Sequence, residues 1–137
     1  MIHRHRIRAR YGETDRMGVV HHSVYPLYFE EARTELMRAL GTSYAALELS
    51  GTLFPLTDIG IKFRRGTRYD DVIVLEARMT ELSAVRFRID YRMLSEETGE
   101  LLATGFTKHA STNAEFKPRR LPESVRLAFE TALELRE

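Results

Sequence analysis

The side chains best suited to chemistry lie in one short stretch, residues 11–25, which carries Glu13, Asp15, His21 and His22. A carboxylate can attack a carbonyl carbon or remove a proton from water, and a histidine can carry a proton near neutral pH. The chain has no cysteine, so a cysteine nucleophile, disulfides and thiolate metal sites are excluded. The stretch therefore predicts acyl transfer or hydrolysis that depends on a carboxylate.

The patterns on either side place this stretch between a strand and a long helix. Residues 4–11 alternate, with arginines at every second position, and this predicts a first strand. Apolar residues then recur every three or four positions over residues 23–40, which predicts a helix. Ser23 suits the cap of that helix, Pro26 suits its first turn and Gly41 suits its end.

The N-terminus of this helix explains why the position of Asp15 matters. A helix N-terminus presents free backbone N–H groups and a partial positive charge. Such donors polarise a carbonyl group and stabilise the oxyanion that forms when the carbonyl is attacked. Asp15 lies a few residues upstream, and Gly18 allows the loop between them to fold back towards a ligand.

The rest of the chain predicts an antiparallel sheet that packs on the long helix. Period-two patterns are typical of strands with one buried and one wet face, and neither the sheet nor the helix can bury its apolar face alone. The expected fold is α+β, with a five-stranded antiparallel sheet wrapped around one long central helix, in a single domain over residues 1–137. The remaining predicted elements are a short helix at 44–49, strands at about 58–64, 73–80, 85–93 and 101–111, and a C-terminal helix at about 122–135.

Composition narrows the class of protein further. The chain is 43% apolar and 30% charged, which is typical of a soluble globular protein. Its formal net charge of +1 argues against a nucleic-acid partner, and it has no apolar run long enough for a membrane span. The basic N-terminus lacks the apolar core of a secretory signal. A cytoplasmic location is expected.

The segment from Tyr11 to Arg33, with the pattern Y-x-x-T-D-x-x-G-V-V-x-H-x-x-Y-x-x-Y-x-E-x-A-R, resembles the 4-hydroxybenzoyl-CoA thioesterase family. It is most similar to the YbgC-like branch of that family. Two later segments fall in the order that the family has, Tyr69-Asp70-Asp71 and Lys117-Pro118-Arg119-Arg120-Leu121-Pro122. The resemblance therefore extends over nearly the whole chain.

The resemblance implies a hot-dog fold and the hydrolysis of an acyl-CoA to free acid and CoA. It implies Asp15 as nucleophile or general base, His22 as its companion, and a backbone N–H near His22 as the donor to the thioester carbonyl. No cofactor is expected, since coenzyme A is part of the substrate. Family members form homo-oligomers, as dimers whose sheets join edge to edge or as tetramers made of two dimers, with active sites between subunits.

Further substrate contacts are expected around the loop and at arginines that suit the phosphates of CoA. The histidines and Asp15 show no spacing that indicates convergence on a metal, so no metal site is expected. The predicted substrate-binding residues are Tyr11, Gly18, Val19, Tyr25, Arg64 and Arg86.

Three other functions fit parts of the pattern. An acyl-carrier-protein thioesterase would use the same chemistry but would need a surface for its protein carrier. A hot-dog hydratase also uses aspartate and histidine, although the Gly-Val-Val-x-His arrangement at the helix start argues against it. A non-catalytic acyl-CoA sensor would not need the carboxylate of Asp15.

Overall fold

The computed structural model describes residues 1–42 and 44–134, and its main feature is one five-stranded antiparallel sheet with a long helix against one face. The order of strands in the sheet is β1-β3-β4-β5-β2. The predicted antiparallel sheet of five strands around one long helix is confirmed. The elements are β1 His3–Arg8, α1 Tyr25–Ala39, α2 Tyr44–Leu49, β2 Leu56–Phe63, β3 Val72–Leu82, β4 Arg86–Ser95, β5 Leu101–Ala110 and α3 Glu123–Glu134, with short 3-10 turns at Tyr11–Glu13 and His22–Val24.

The core lies between α1 and the inner face of the sheet. Every second residue is buried from Ile73 to Met79 on β3 and from Phe87 to Met93 on β4, as the period-two pattern predicts. The ring of Phe29 on α1 stacks on Tyr91 of β4 with centroids 4.4 Å apart. The same ring lies against Gly105 of β5, where a Cβ atom would come within 2.5 Å of it. Glycine at this position therefore lets α1 approach the sheet closely.

The predicted boundaries of the first strand and of the long helix differ from the structure. The first strand ends at Arg8, because the chain turns into a 3-10 turn at Tyr11. Helix α1 begins at Tyr25, after a second 3-10 turn, and Ser23 does not cap it. Pro26 lies in the first turn of α1 as predicted, and Gly41 ends the helix with φ +80°. The predicted last residue of the C-terminal helix, number 135, lies outside the described residues.

Strand β2 departs from the expected pattern of one buried and one wet face. It lies at the edge of the sheet, and its burial does not alternate. Leu56, Ile59 and Phe63 have 50%, 41% and 53% of their surface exposed. Alternation in the sequence reports which residues share a face, but it does not report how far the helix extends over that face.

A row of polar side chains runs through the buried interior between α1 and β5. Arg33 donates to the hydroxyl of Tyr91 (3.2 Å), which lies 2.7 Å from Oγ1 of Thr107. Thr107 in turn lies 2.9 Å from Nε2 of His109, whose Nδ1 lies 3.3 Å from the carbonyl oxygen of Phe54. Because that carbonyl can only accept, Nδ1 donates, and Nε2 of a neutral imidazole then accepts from the hydroxyl of Thr107. The row is therefore satisfied by a neutral His109.

The stability of the fold is expected to depend on pH through His109. Burial, reinforced by the charge of Arg33, lowers the pKa of His109 to about 4, whereas an unfolded histidine titrates near ~6.5. A depressed pKa means that the unfolded chain binds the proton first, so stability is complete above about pH 6.5 and falls as the pH drops towards 4. The loss attributable to His109 is at most about 3 kcal/mol.

Urea unfolding at a series of pH values measures this effect. The non-titrating variant His109→Gln is expected to lose the part of the pH dependence that lies between about pH 4 and pH 6.5. The same slope of stability against pH in the variant and the parent protein would assign the effect to other groups.

Candidate active site

The loop before α1 folds into a tight turn around Asp15. The N–H of Gly18 donates to the Asp15 carbonyl oxygen (3.0 Å), and the N–H of Asp15 donates to the carbonyl oxygen of Val19 (2.9 Å). Gly18 has φ +79°, a conformation that costs a glycine little. The N–H of Met17 donates to Oδ1 of Asp15 (2.8 Å). One carboxylate oxygen is thus held by the backbone, while Oδ2 has no hydrogen-bond donor in the described part of the chain.

The residues after the turn are fixed against the segment that follows β2. Val19 forms an isolated bridge with Arg68, and the N–H of Val20 donates to the carbonyl oxygen of Thr67 (2.7 Å). Gly66 lies beneath Val19, where a Cβ atom would come within 2.7 Å of the valine side chain. These contacts hold the Asp15 turn against the body of the protein.

A carboxylate on the other side of the turn ties the loop to α1. Oε1 of Glu13 accepts from the hydroxyl of Tyr28 (2.7 Å) and from the N–H of Arg10 (2.8 Å). Burial, followed by the contact with Glu13, raises the pKa of Tyr28 far above its usual value. Tyr28 therefore stays a neutral donor, and this bond sets the distance between the loop and the helix.

The start of α1 leaves one backbone donor free. The imidazole Nδ1 of His21 accepts from the N–H of Ser23 (3.2 Å), and the carbonyl of His21 accepts from the N–H of Val24 (3.0 Å). His21 is thus the residue that caps this turn. The N–H of His22 has no acceptor within residues 1–42 and 44–134. The free donor lies at the positive end of the helix.

Asp15 and the start of α1 line the same cleft, which has a volume of about 270 Å³. The structure brings together five of the predicted site residues there. They are Asp15, Val19, His22, Tyr25 and Arg64. The remaining lining residues are Met17, Val20, Phe63, Arg65 and Gly66. The cleft therefore combines a carboxylate, a helix N-terminus, two arginines and an apolar wall.

The other three predicted site residues do not line this cleft. Gly18 shapes the turn. Tyr11 is 76% exposed and meets the ring of Tyr69 edge-on at 5.6 Å, in a groove between β1 and α1. Arg86 pairs with Ala110 at one end of β5, whereas the strand end that reaches the cleft pairs with Ala103. Those two positions are seven residues, or roughly 23 Å, apart along the strand.

The sequence interpretation missed Phe63 and Gly66. The ring of Phe63 packs edge-on against Tyr25, with centroids 4.8 Å apart, and forms one wall of the cleft. The sequence does contain a signal for both. An apolar residue that ends a strand and is followed by two arginines and a glycine is poorly explained by core packing alone. That signal did not indicate which loop this segment contacts.

Two further features of the described residues concern other kinds of function. Nowhere in residues 1–42 and 44–134 do three or more histidine, aspartate or glutamate side chains converge as metal ligands would. No helix in that part of the chain is long and apolar enough to cross a bilayer.

Comparison with known proteins relates the chain to a family. A family model described as the thioesterase-like superfamily matches residues 9–129. YneP of Bacillus subtilis (strain 168) is 32% identical over 113 residues, which cover 82% of this chain and 81% of YneP. The acyl-CoA thioester hydrolase YbgC of Escherichia coli O6:H1 is 27% identical over 123 residues, which cover 90% of this chain and 92% of YbgC.

A solved structure shows the same architecture. The crystal structure of DHNA-CoA thioesterase from Staphylococcus aureus matches with a TM-score of 0.91 and 32% identity, covering 95% of this chain and 89% of that one. The family match spans more than half of the chain, and the expected resemblance to YbgC-like thioesterases is confirmed. The chain belongs to the thioesterase-like superfamily and has its hot-dog fold.

Proposed function

We propose that this chain hydrolyses the thioester bond of an acyl-CoA, releasing the free acid and CoA. The observation that carries the proposal is the cleft in which Asp15 and the start of α1 meet. A thioester needs a group that attacks or activates water and a donor for the carbonyl oxygen, and the cleft supplies both. Membership of a thioesterase superfamily supports the same chemistry.

The N–H of His22 is the proposed donor to the thioester carbonyl. It lies at the helix N-terminus, where the helix dipole favours negative charge. When the carbonyl carbon is attacked, the oxygen becomes an oxyanion and the hydrogen bond from His22 strengthens. Such a donor lowers the barrier because it is aimed at charge that develops only in the transition state.

Asp15 acts at the carbonyl carbon in one of two ways. As a nucleophile it forms a mixed anhydride and expels the CoA thiolate, and water then cleaves the anhydride to regenerate the carboxylate. As a general base it removes a proton from a water molecule that attacks the carbonyl carbon, and the tetrahedral intermediate then expels the CoA sulfur, which takes up the proton. The bond between Oδ1 and the N–H of Met17 fixes the carboxylate and leaves Oδ2 to react. Either route gives the same products.

The imidazole of His22 has a secondary role in this scheme. It lines the cleft and can carry a proton to the departing CoA sulfur. A thiolate is already a good leaving group, so the reaction depends less on this proton than on the carboxylate of Asp15.

An assay of thiol release tests the proposed function. The protein is incubated with short, medium, long and aromatic acyl-CoAs, and the released CoA is followed with a thiol reagent. The absence of cysteine from the chain removes any signal from the protein itself. Saturable release with at least one substrate is expected. No thiol release from any substrate of the panel, together with tight binding of an acyl-CoA, would contradict hydrolysis and indicate a non-catalytic acyl-CoA sensor.

We further propose that two copies pair through β2. The other edge strand, β1, carries Arg4, Arg6 and Arg8, and charged side chains discourage pairing between sheet edges. Strand β2 carries fewer charges, Asp58 and Lys62, and exposes the apolar side chains of Ile59 and Phe63. Because Phe63 also lines the Asp15 cleft, pairing through β2 would bring the cleft next to the second subunit.

Light scattering coupled to gel filtration measures the assembly directly. A mass of two or four chains is expected, and Ile59→Lys is expected to reduce it because a charge on β2 would be buried in the pair. A monomeric mass for the parent protein at micromolar concentration would contradict pairing through β2.

A further inference from the structure

A second and larger concavity lies on the outer face of the sheet, with a volume of about 670 Å³. The lining residues on β3 and β4 alternate with the buried residues that face α1, so their side chains point away from the helix. Two of the charged lining residues are the carboxylates Glu76 and Asp90. Five are cations, namely Lys62, Arg64, Arg78, Arg88 and Arg92. The concavity therefore has an excess of three positive charges.

Both carboxylates are already occupied. Glu76 accepts from Arg4 at 3.1 Å and from Arg92 at 3.0 Å. Asp90 accepts from Arg88 at 3.0 Å and also from the hydroxyl of Thr80.

The cations Lys62, Arg64 and Arg78 have no carboxylate partner in the described part of the chain. Unpaired positive charges around a concave surface attract an anion, and guanidinium groups match the oxygens of a phosphate well.

One residue connects this concavity with the candidate active site. Arg64 follows the end of β2 and lines both the Asp15 cleft and the outer concavity. A ligand that starts in the cleft can therefore continue around the end of β2 to the outer face. An acyl-CoA has this form, with its thioester at one end and its phosphates at the other.

We propose that the outer concavity binds the phosphates of the CoA nucleotide while the thioester lies in the Asp15 cleft. This inference rests on the proposed function for the identity of the ligand. Lys62 and Arg78 provide the charge on the outer face, and Arg64 contacts the ligand where it passes from one cavity to the other. The concavity thus recognises the end of the substrate that does not react.

The recognition acts through phosphate and not through the base. The one aromatic side chain on the outer face of the concavity, within the described residues, is Phe106. The guanidinium of Arg88 covers that ring at 4.2 Å from its centroid, and Gly60 lies against it on the sheet side. Since the ring is covered, it is not free to stack on adenine. The expected ligand contacts are therefore charge-assisted hydrogen bonds, which salt weakens.

A second copy of the chain is a poorer occupant of the concavity. If two copies met through this face about a twofold axis, each would place the same positive surface against the other. Like charges that face each other at an interface oppose association.

Binding of adenosine 3′,5′-bisphosphate tests the inference without any turnover. Calorimetry at low salt is expected to show binding to the parent protein and at least about tenfold weaker binding to the double variant Lys62→Ala/Arg78→Ala, since hydrogen bonds to charged groups are involved. The single variant Arg78→Gln is expected to lie between them. Lys117→Ala removes an exposed lysine outside both cavities and is the matched control, with unchanged affinity expected.

Kinetics with a truncated substrate give a second readout. The double variant is expected to raise KM for acyl-CoA by about the same factor as it weakens the bisphosphate, with kcat unchanged. An acyl-pantetheine with the same acyl group lacks the nucleotide, so its KM is expected to be the same for the double variant and the parent protein. Equal changes for both substrates would refute the inference.

Three other outcomes would overturn it as well. They are no bisphosphate binding by the parent protein, equal affinity in the double variant, and inorganic phosphate binding as tightly as the bisphosphate. The parent protein could bind the bisphosphate through Lys62 and Arg78 and yet show no thioesterase activity. That result would support the phosphate site and contradict the proposed hydrolysis. The two proposals can therefore fail separately.

Discussion

Replacing Asp15 with asparagine is expected to lower kcat for acyl-CoA hydrolysis by at least about a thousandfold while the fold stays intact. Asparagine keeps the size of the side chain but removes the negative charge that attacks the carbonyl or takes a proton from water. Both proposed routes require the carboxylate, so the loss does not depend on which of them operates. The rate of thiol release at saturating acyl-CoA measures the effect.

The turn around Asp15 should survive this substitution. The Asp15 side chain contacts the rest of the loop through the hydrogen bond from the N–H of Met17 to Oδ1. An asparagine side chain accepts the same bond. Asp70→Asn makes the same chemical change at an exposed position with a surface ion pair to Arg8, and it should leave both kcat and stability close to those of the parent. Activity of Asp15→Asn within tenfold of the parent would remove Asp15 from the mechanism.

The sequence predicted the architecture because each pattern has a direct physical cause. Alternation along β3 and β4 follows from a strand with one face against α1, and the apolar stripe of α1 follows from a helix with one face in the core. One error concerns a local hydrogen bond. Ser23 and His21 can both cap a turn, and only the path of the backbone decides that His21 accepts and Ser23 donates.

Part of the candidate site could be predicted because it is local in sequence. Asp15 and His22 are seven residues apart and are joined by one loop, so a sequence motif contains both. Phe63 and Gly66 reach the cleft through the bridge between Val19 and the segment after β2. That contact depends on the pairing of β2 with β5, which alternation does not encode.

The position of a residue along the sheet could not be predicted from the sequence pattern either. Arg64 follows the end of β2 and Arg86 begins β4, and the register places them at opposite ends of β5. Tyr11 was expected to continue the alternation of β1, but the 3-10 turn rotates it towards Tyr69. Both errors arise because alternation defines a face and not a place on that face.

Replacing His22 with proline is expected to lower kcat by about a hundredfold to a thousandfold relative to His22→Ala. Proline removes the backbone N–H that the mechanism assigns to the carbonyl oxygen, whereas alanine removes only the imidazole and keeps that donor. The backbone accepts the change, because His21 has ψ 141°, the extended conformation that a residue before proline prefers, and the N–H of His22 bonds to no other described residue.

The control variant His22→Ala is expected to lose roughly tenfold or less in kcat, since the leaving thiolate needs little help from an acid. Circular dichroism and thermal unfolding check that both variants fold. Equal kcat values in the two variants would mean that the carbonyl takes its hydrogen bond from another group.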